Sequence, residues 1–213
     1  MVAHDPECAV ELVRRDQQCV SAWSGGTTTE IAIYPKGAAY SRRDFLWRIS
    51  SAHVDALESE FTSLPGIWRL IMVLEGDMTL KHEHHHSVRL RPFQQDVFAG
   101  DWVTRSRGRA TDFNIMLTAG CTAHMWAASV PGDSLVAVPV ETHQTCDTGM
   151  NVVFVAYSVD GELTVETVCH GTWNIDAGDA LLLTTNQPGI VRSVGLSSRC
   201  DTAVHVVLAT IRY

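Results

Sequence analysis

Short apolar runs separated by glycine–aspartate turns dominate the chain. Segments at 31–34, 46–50, 70–74, 78–81, 88–90, 115–117, 152–157, 163–167, 180–184, 190–194 and 203–211 are rich in Val, Ile, Leu, Thr and aromatic residues. Their lengths and composition predict β-strands. Between them stand Glu75-Gly76-Asp77, Ala99-Gly100-Asp101, Asp160-Gly161 and Ala177-Gly178-Asp179, residues suited to tight turns. Many short strands with this punctuation predict an all-β barrel or sandwich. Helical periodicity is weak. Its best stretch, residues 5–15, places Ala9, Val10, Leu12 and Val13 on one side of a short helix.

A repeat underlies the strands. Leu74-Glu75-Gly76-Asp77-Met78-Thr79-Leu80 parallels Val159-Asp160-Gly161-Glu162-Leu163-Thr164-Val165, and each copy is followed by a second turn, at Gly100-Asp101 and Gly178-Asp179. Two copies predict two similar β-units, residues 1–120 and 121–213, with an approximate boundary and strands free to exchange between them.

Composition narrows the function. With 213 residues and 46% hydrophobic content, the chain can bury a core in one large domain or two small ones, and general disorder is excluded. A formal net charge of −8 argues against a broad nucleic-acid or anionic-membrane surface, which needs clustered Lys and Arg. An anionic ligand would have to be held by a few local cations. The apolar stretches are of strand length, well short of the roughly 20 residues of a spanning helix. The first residues, with His4, Asp5 and Glu7, do not read as a secretory leader. Six cysteines without a CxxC pair (Cys8, Cys19, Cys121, Cys146, Cys169 and Cys200) fit reduced thiols and a cytoplasmic setting.

The glycine pattern resembles that of cupin barrels, whose first motif runs G-x5-H-x-H-x(3,4)-E-x6-G and whose second runs G-x5-P-x-G-x2-H-x3-N. With the closing glycine of the first placed on Gly76, the Glu position falls on Arg69 and the His positions on Ser63 and Pro65. With the second motif opening on Gly100, Gly108 matches, while the His and Asn positions fall on Thr111 and Ile115. None of these residues is a donor that a first-row metal ion uses. A metal-free cavity with a permanent cation in its mouth is the expectation, and a guanidinium there favours a carboxylate held by both oxygens. Alternatively, Arg69 pairs with an internal acid and is purely structural.

An ordered set of segments resembles the HutD/Ves family. It comprises Trp23-Ser24-Gly25-Gly26-Thr27-Thr28-Thr29-Glu30-Ile31, Trp47-Arg48-Ile49-Ser50 and Phe61-Thr62-Ser63-Leu64-Pro65-Gly66-Ile67-Trp68-Arg69. It continues with Val73-Leu74-Glu75-Gly76, Pro92-Phe93, Phe98-Ala99-Gly100-Asp101 and Asp112-Phe113-Asn114-Ile115-Met116. The match covers nearly half the chain. The shorter WSGGTTTE form and Trp68 before Arg69 depart from the common pattern. The resemblance implies two cupin-like (RmlC-like jelly-roll) β-barrel units and no cofactor. It also implies a regulatory or buffering role toward an intermediate of histidine breakdown such as formylglutamate, formiminoglutamate or urocanate.

Individual residues admit two readings each. Alternation puts Arg48 and Ser50 on one strand face and Trp47 and Ile49 on the other; inside a barrel the first pair suits a carboxylate, outside it is a solvated surface. Thr29 and Glu30 follow a Gly-Gly turn as ligand groups or as a plain strand entry, with Glu30 a candidate partner for Arg48 or Arg69. Asp112 and Asn114 share a face, as ligand contacts or as backbone-bonded strand residues. Ser63 and Thr111 complete the candidate pocket. The run His82-Glu83-His84-His85-His86 reads as an exposed loop with adventitious metal affinity, and His53, His124, His143, His170 and His205 as structural. The favoured function is non-catalytic binding of a small anionic, amino-acid-derived metabolite. The alternative is a metal-independent isomerase or hydrolase with Glu30 or Asp112 as general base. A homodimer through β-edges is compatible with the pattern but has no residue of its own to support it.

Overall fold

The computed structural model describes residues 8–140, 150–167, 171–187, 193–198 and 200–213. His143, Cys146, Cys169, His170 and positions 5–7 and 190–192 of the predicted elements lie outside them. The described chain opens on β1 (Cys8–Val13) and a 3-10 turn at Arg15–Gln17. Ten strands follow: β2 (Cys19–Trp23), β3 (Gly26–Tyr34), β4 (Trp47–Val54), β5 (Glu58–Glu60), β6 (Ile67–Gly76), β7 (Met78–His82), β8 (Ser87–Leu90), β9 (Gln95–Ala99), β10 (Thr104–Arg107) and β11 (Ala110–Thr118). The rest are β12 (Thr122–Val130), β13 (Leu135–Pro139), β14 (Val152–Ser158), β15 (Leu163–Thr167), β16 (Gly171–Ile175), β17 (Ala180–Thr185), β18 (Ser193–Ser197) and β19 (Val204–Arg212).

Two compact units result, Gln18–Cys121 and a second one joining residues 8–17 to Thr122–Tyr213. Each contains two antiparallel sheets. In the first unit their orders are β2-β3-β4-β11-β6-β9 and β5-β10-β7-β8; in the second, β1-β17-β14-β19-β12 and β13-β18-β15-β16. The orders β4-β11-β6-β9 and β12-β19-β14-β17 correspond strand for strand, as do the two smaller sheets. The Gly76 and Gly161 turns occupy equivalent places, after β6 and after β14. Gly76 (φ 79°) and Gly178 (φ 91°) adopt the left-handed backbone conformation that glycine tolerates. The sheets remain open; no ring of strand pairing closes among the described residues.

In each unit the two sheets share a core. In the first it includes Val54, Ile71, Val73, Met78, Leu80, Leu90, Phe98 and Ala110. In the second, Phe154, Leu181, Leu183, Val206 and Leu208 meet Leu163, Val165, Ile175, Val194 and Leu196.

The helix expected at residues 5–15 is instead, where described, strand β1. It pairs along its whole length with β17, from Cys8 opposite Thr185 to Val13 opposite Ala180. Its core-facing residues are Cys8, Val10 and Leu12. That period of two is the strand signal, and the apolar residues at 9, 10, 12 and 13 happen to fit a helical side as well. The strand covers what would otherwise be an open sheet edge at β17.

Candidate functional site

A cavity of about 510 Å³ opens within the first unit. Its floor is the inner face of three neighbouring strands, with β11 in the middle. Met116 lies between Arg48 on β4 and Arg69 on β6; Asn114 lies between Ser50 and Ile71; Asp112 lies between Ala52 and Val73. Alternation therefore places two guanidiniums, a carboxyl, a carboxamide and a hydroxyl on one face. Further along the same face, Ile71 and Val73 belong to the apolar core. A register shift at Thr111/Asp112 marks a bulge between β11 and β6, a device that re-aims side chains near a site.

The two arginines differ. Arg48, buried, donates from Nε to Glu30 Oε2 (2.7 Å) and from Nη1 to Ser50 Oγ (3.0 Å), with its Cζ 4.6 Å from the Tyr40 ring centroid. Its charge is matched and its geometry held. Arg69 is 7% exposed and makes no hydrogen bond or ion pair with any described residue; its Nε is buried without a partner. Its Cζ stands 4.6 Å from the centroid of Phe61 and 5.4 Å from that of Phe98, contacts that orient the fork without saturating its donors. Asp112 Oδ1 and Asn114 Oδ1 are likewise buried without hydrogen-bond partners.

Electrostatics follow from burial. Loss of water pushes the Asp112 carboxyl up to about 7, with the Arg69 charge pulling it only partly back. Burial pulls Arg69 down to about 10, opposed by Asp112, so it stays cationic at neutral pH. Glu30 offsets Arg48, and Asp112 is partly protonated near neutrality. The cavity thus carries a positive charge that Asp112 offsets only in part, beside buried polar atoms without hydrogen-bond partners.

Of the residues singled out from sequence, Arg48, Ser50, Arg69, Asp112 and Asn114 line this cavity, and Glu30 supports it through Arg48. Thr29 alternates away from it, and Thr28 lines it instead. Ser63 contributes a backbone carbonyl to Arg43 (3.4 Å). Thr111 Oγ1 bonds His53 Nδ1 (3.0 Å) on the opposite, exposed face. Sequence reasoning misses Tyr40, Phe61 and Met116, which also line the cavity. Phe61 and Met116 lie inside the family-like segments, but Tyr40 sits in an aperiodic loop with no signal. At the rim, Glu58 and Glu60 face Arg107 (3.7 Å) and Arg105 (3.4 Å).

The histidine run corrects an expectation. His82 is not part of an exposed loop: it ends β7 and is buried. Its ring lies 4.5 Å from that of Phe98, and His85 stacks on Trp102 at 3.7 Å. Strand β7 carries one residue further inward than hairpin length suggests, and the turn falls at His84, with φ 63°.

The family model described as HutD matches residues 15–204. A conserved protein of unknown function from Pseudomonas aeruginosa PAO1 superposes with a TM-score of 0.76 at 21% identity, over 95% of this chain and 98% of that one. HutD from Pseudomonas fluorescens SBW25, in a formate condition, gives 0.65 at 22%, over 94% and 98%. A point mutant of Bacillus subtilis oxalate decarboxylase gives 0.62 at 6%, over 93% and 76%. These likenesses make the all-β fold cupin-like.

Proposed function

The chain belongs to the HutD family, and from that premise we propose that its cavity binds a small carboxylate derived from an amino acid. The observation that carries this reading is Arg69, a buried guanidinium that no described residue hydrogen-bonds or ion-pairs and whose charge Asp112 offsets only in part. Leaving a desolvated cation unpaired costs several kcal/mol (about 3–5 when a buried partner is removed). A carboxylate offers two oxygens in the geometry of the fork and offsets that cost. Arg48, held by Glu30, is a fixed wall, and Asn114 Oδ1 is an acceptor for an N–H of the ligand. Protonated Asp112 is a donor to the ligand.

Formylglutamate, formiminoglutamate, urocanate and glutamate fit this chemistry, and binding without turnover fits a regulatory or buffering role in histidine utilisation. The formate condition of the Pseudomonas fluorescens relative suggests formate as the smallest probe. The scaffold reading that goes with this is two cupin-type units in series. In a thermal-shift screen against these acids, one or more should raise the melting temperature, and Arg69→Ala should remove the effect. Stabilisation that persists in both Arg69→Ala and Arg48→Ala would put the ligand elsewhere.

A second reading rests on Asp112. A buried carboxyl titrating near 7 has the properties of a general base or acid. Glu30, committed to Arg48, is the weaker candidate. Proton NMR of each acid incubated with protein distinguishes the two: a ligand consumed by wild type and spared by Asp112→Asn establishes metal-independent catalysis by the same cavity.

A further inference from the structure

Away from the cavity, His82, His86 and Asp96 bring one donor atom each to within 4.8 Å of one another. His82 Nε2 lies 2.9 Å from Asp96 Oδ2, and His86 Nε2 lies 3.0 Å from the same oxygen. Behind His82, the Thr104 hydroxyl backs the ring on the side away from Asp96. Thr104 Oγ1 donates its hydrogen to the Trp102 carbonyl (3.2 Å). It also lies 2.8 Å from His82 Nδ1, and by accepting a ring hydrogen there it would leave Nε2 free to ligate an ion. Nε2 is thus the ring nitrogen that faces Asp96 and His86.

We propose that His82 Nε2, His86 Nε2 and an Asp96 carboxylate oxygen form a three-ligand site for a divalent zinc-like ion, with Thr104 as the outer hydrogen-bond partner that holds the His82 tautomer. A tetrahedral ion with bonds of ~2.0–2.1 Å spaces its donors by about 3.3 Å; the two nitrogen–oxygen separations need to open by only a few tenths of an ångström, and the third pair already lies within 4.8 Å. Thr104 is fully buried and His82 is clamped by Phe98 and Trp102. Such outer support is what distinguishes a built site from a surface histidine cluster. His86, with a side chain 42% exposed, leaves a side open for a fourth, solvent ligand. His84 and His85 are not part of the site: His84 forms the turn and His85 stacks on Trp102.

The test is titration of tag-free, chelator-treated protein with Zn²⁺ by calorimetry, with Co²⁺ absorption as a second readout of tetrahedral coordination. Wild type should take one ion per chain and raise its melting temperature. His86→Ala and Asp96→Asn should abolish stoichiometric binding while keeping the wild-type far-ultraviolet spectrum. His84→Ser should change nothing, and Thr104→Val should weaken binding about 10–100-fold. Full affinity in Asp96→Asn, or loss of affinity in His84→Ser, would overturn the site in favour of an adventitious histidine cluster. So would failure of wild type to bind one ion.

Discussion

At the residue scale, the proposed binding rests on Arg69 and Asp112. Arg69→Met exchanges a buried, unpaired cation for an apolar side chain of similar length. It is expected to stabilise the ligand-free protein by about 1 kcal/mol or more and to abolish carboxylate binding, both readable in one set of denaturation curves with and without ligand. Loss of stability together with loss of binding would mean that Arg69 holds the fold. Asp112 supplies the pH dependence. Its folded value of about 7 lies above the unfolded one, so its contribution to stability is fully present below the unfolded value and is lost as pH rises through about 7. The charge it then gains faces the same ligand as Arg69. Affinity for a carboxylate should therefore fall about tenfold between about pH 6 and about pH 8, and Asp112→Asn should flatten that profile; a flat wild-type profile would remove Asp112 from the ligand's surroundings. Period-two alternation is enough to place Arg48 with Ser50, and Asp112 with Asn114, on common faces, because the strand pleat leaves no other choice. It cannot say that Glu30 pairs with Arg48 and leaves Arg69 unpartnered. That depends on which strands become neighbours, and β4 lies next to β3 while β6 lies beyond β11.

At the element scale, β1 depends on one carboxylate. Asp179 accepts from Arg14 Nη1 (2.7 Å), from the Arg15 amide (2.7 Å) and from the Asp176 amide (3.1 Å). These bonds anchor the exit of β1 beside the turn that begins β17. Burial pushes this carboxyl up, but the Arg15 amide, the Arg14 guanidinium and the Asp176 amide together hold it below its usual range. Its contribution is thus present above the unfolded value and lost as pH falls through the folded one. Asp179→Ala should cost about 2–3 kcal/mol at neutral pH, with the gap from wild type narrowing in acid. A neutral-pH cost near zero in urea titration would show that side-chain packing alone secures β1. The Gly-Asp turn that carries this residue is visible in the sequence, but its partner is not, since Arg14 and Asp179 are 165 positions apart. The same distance explains why residues 8–13 look like a short helix in sequence: only the pairing with β17 decides between the two periodicities.

At the scale of the molecule, the repeat seen around Gly76 and Gly161 reappears as two units with the same strand order, and among the described residues the buried arginines, aspartate and asparagine of the polar row lie in the first. On β19 and β14 the positions that correspond to the floor of the cavity are Val206, Leu208, Ala156 and Phe154, all in the apolar core, with Thr210 at the place of Met116. On the proposed reading the first unit carries binding and the second contributes packing, so the two properties should separate under mutation. Every residue lining the cavity belongs to Gln18–Cys121. Leu181, fully buried on β17 in the second unit, contributes nothing to it. Leu181→Ala should cost about 2–5 kcal/mol through the space it leaves, while the Kd for the stabilising carboxylate, measured by calorimetry well below the transition, should stay within about twofold of wild type. The ligand would then still raise the melting temperature of the variant from its lower baseline, since the shift depends on ligand concentration relative to Kd. If Kd weakens in step with stability, the cavity depends on the packing of the second unit, and the division of labour between the two units fails.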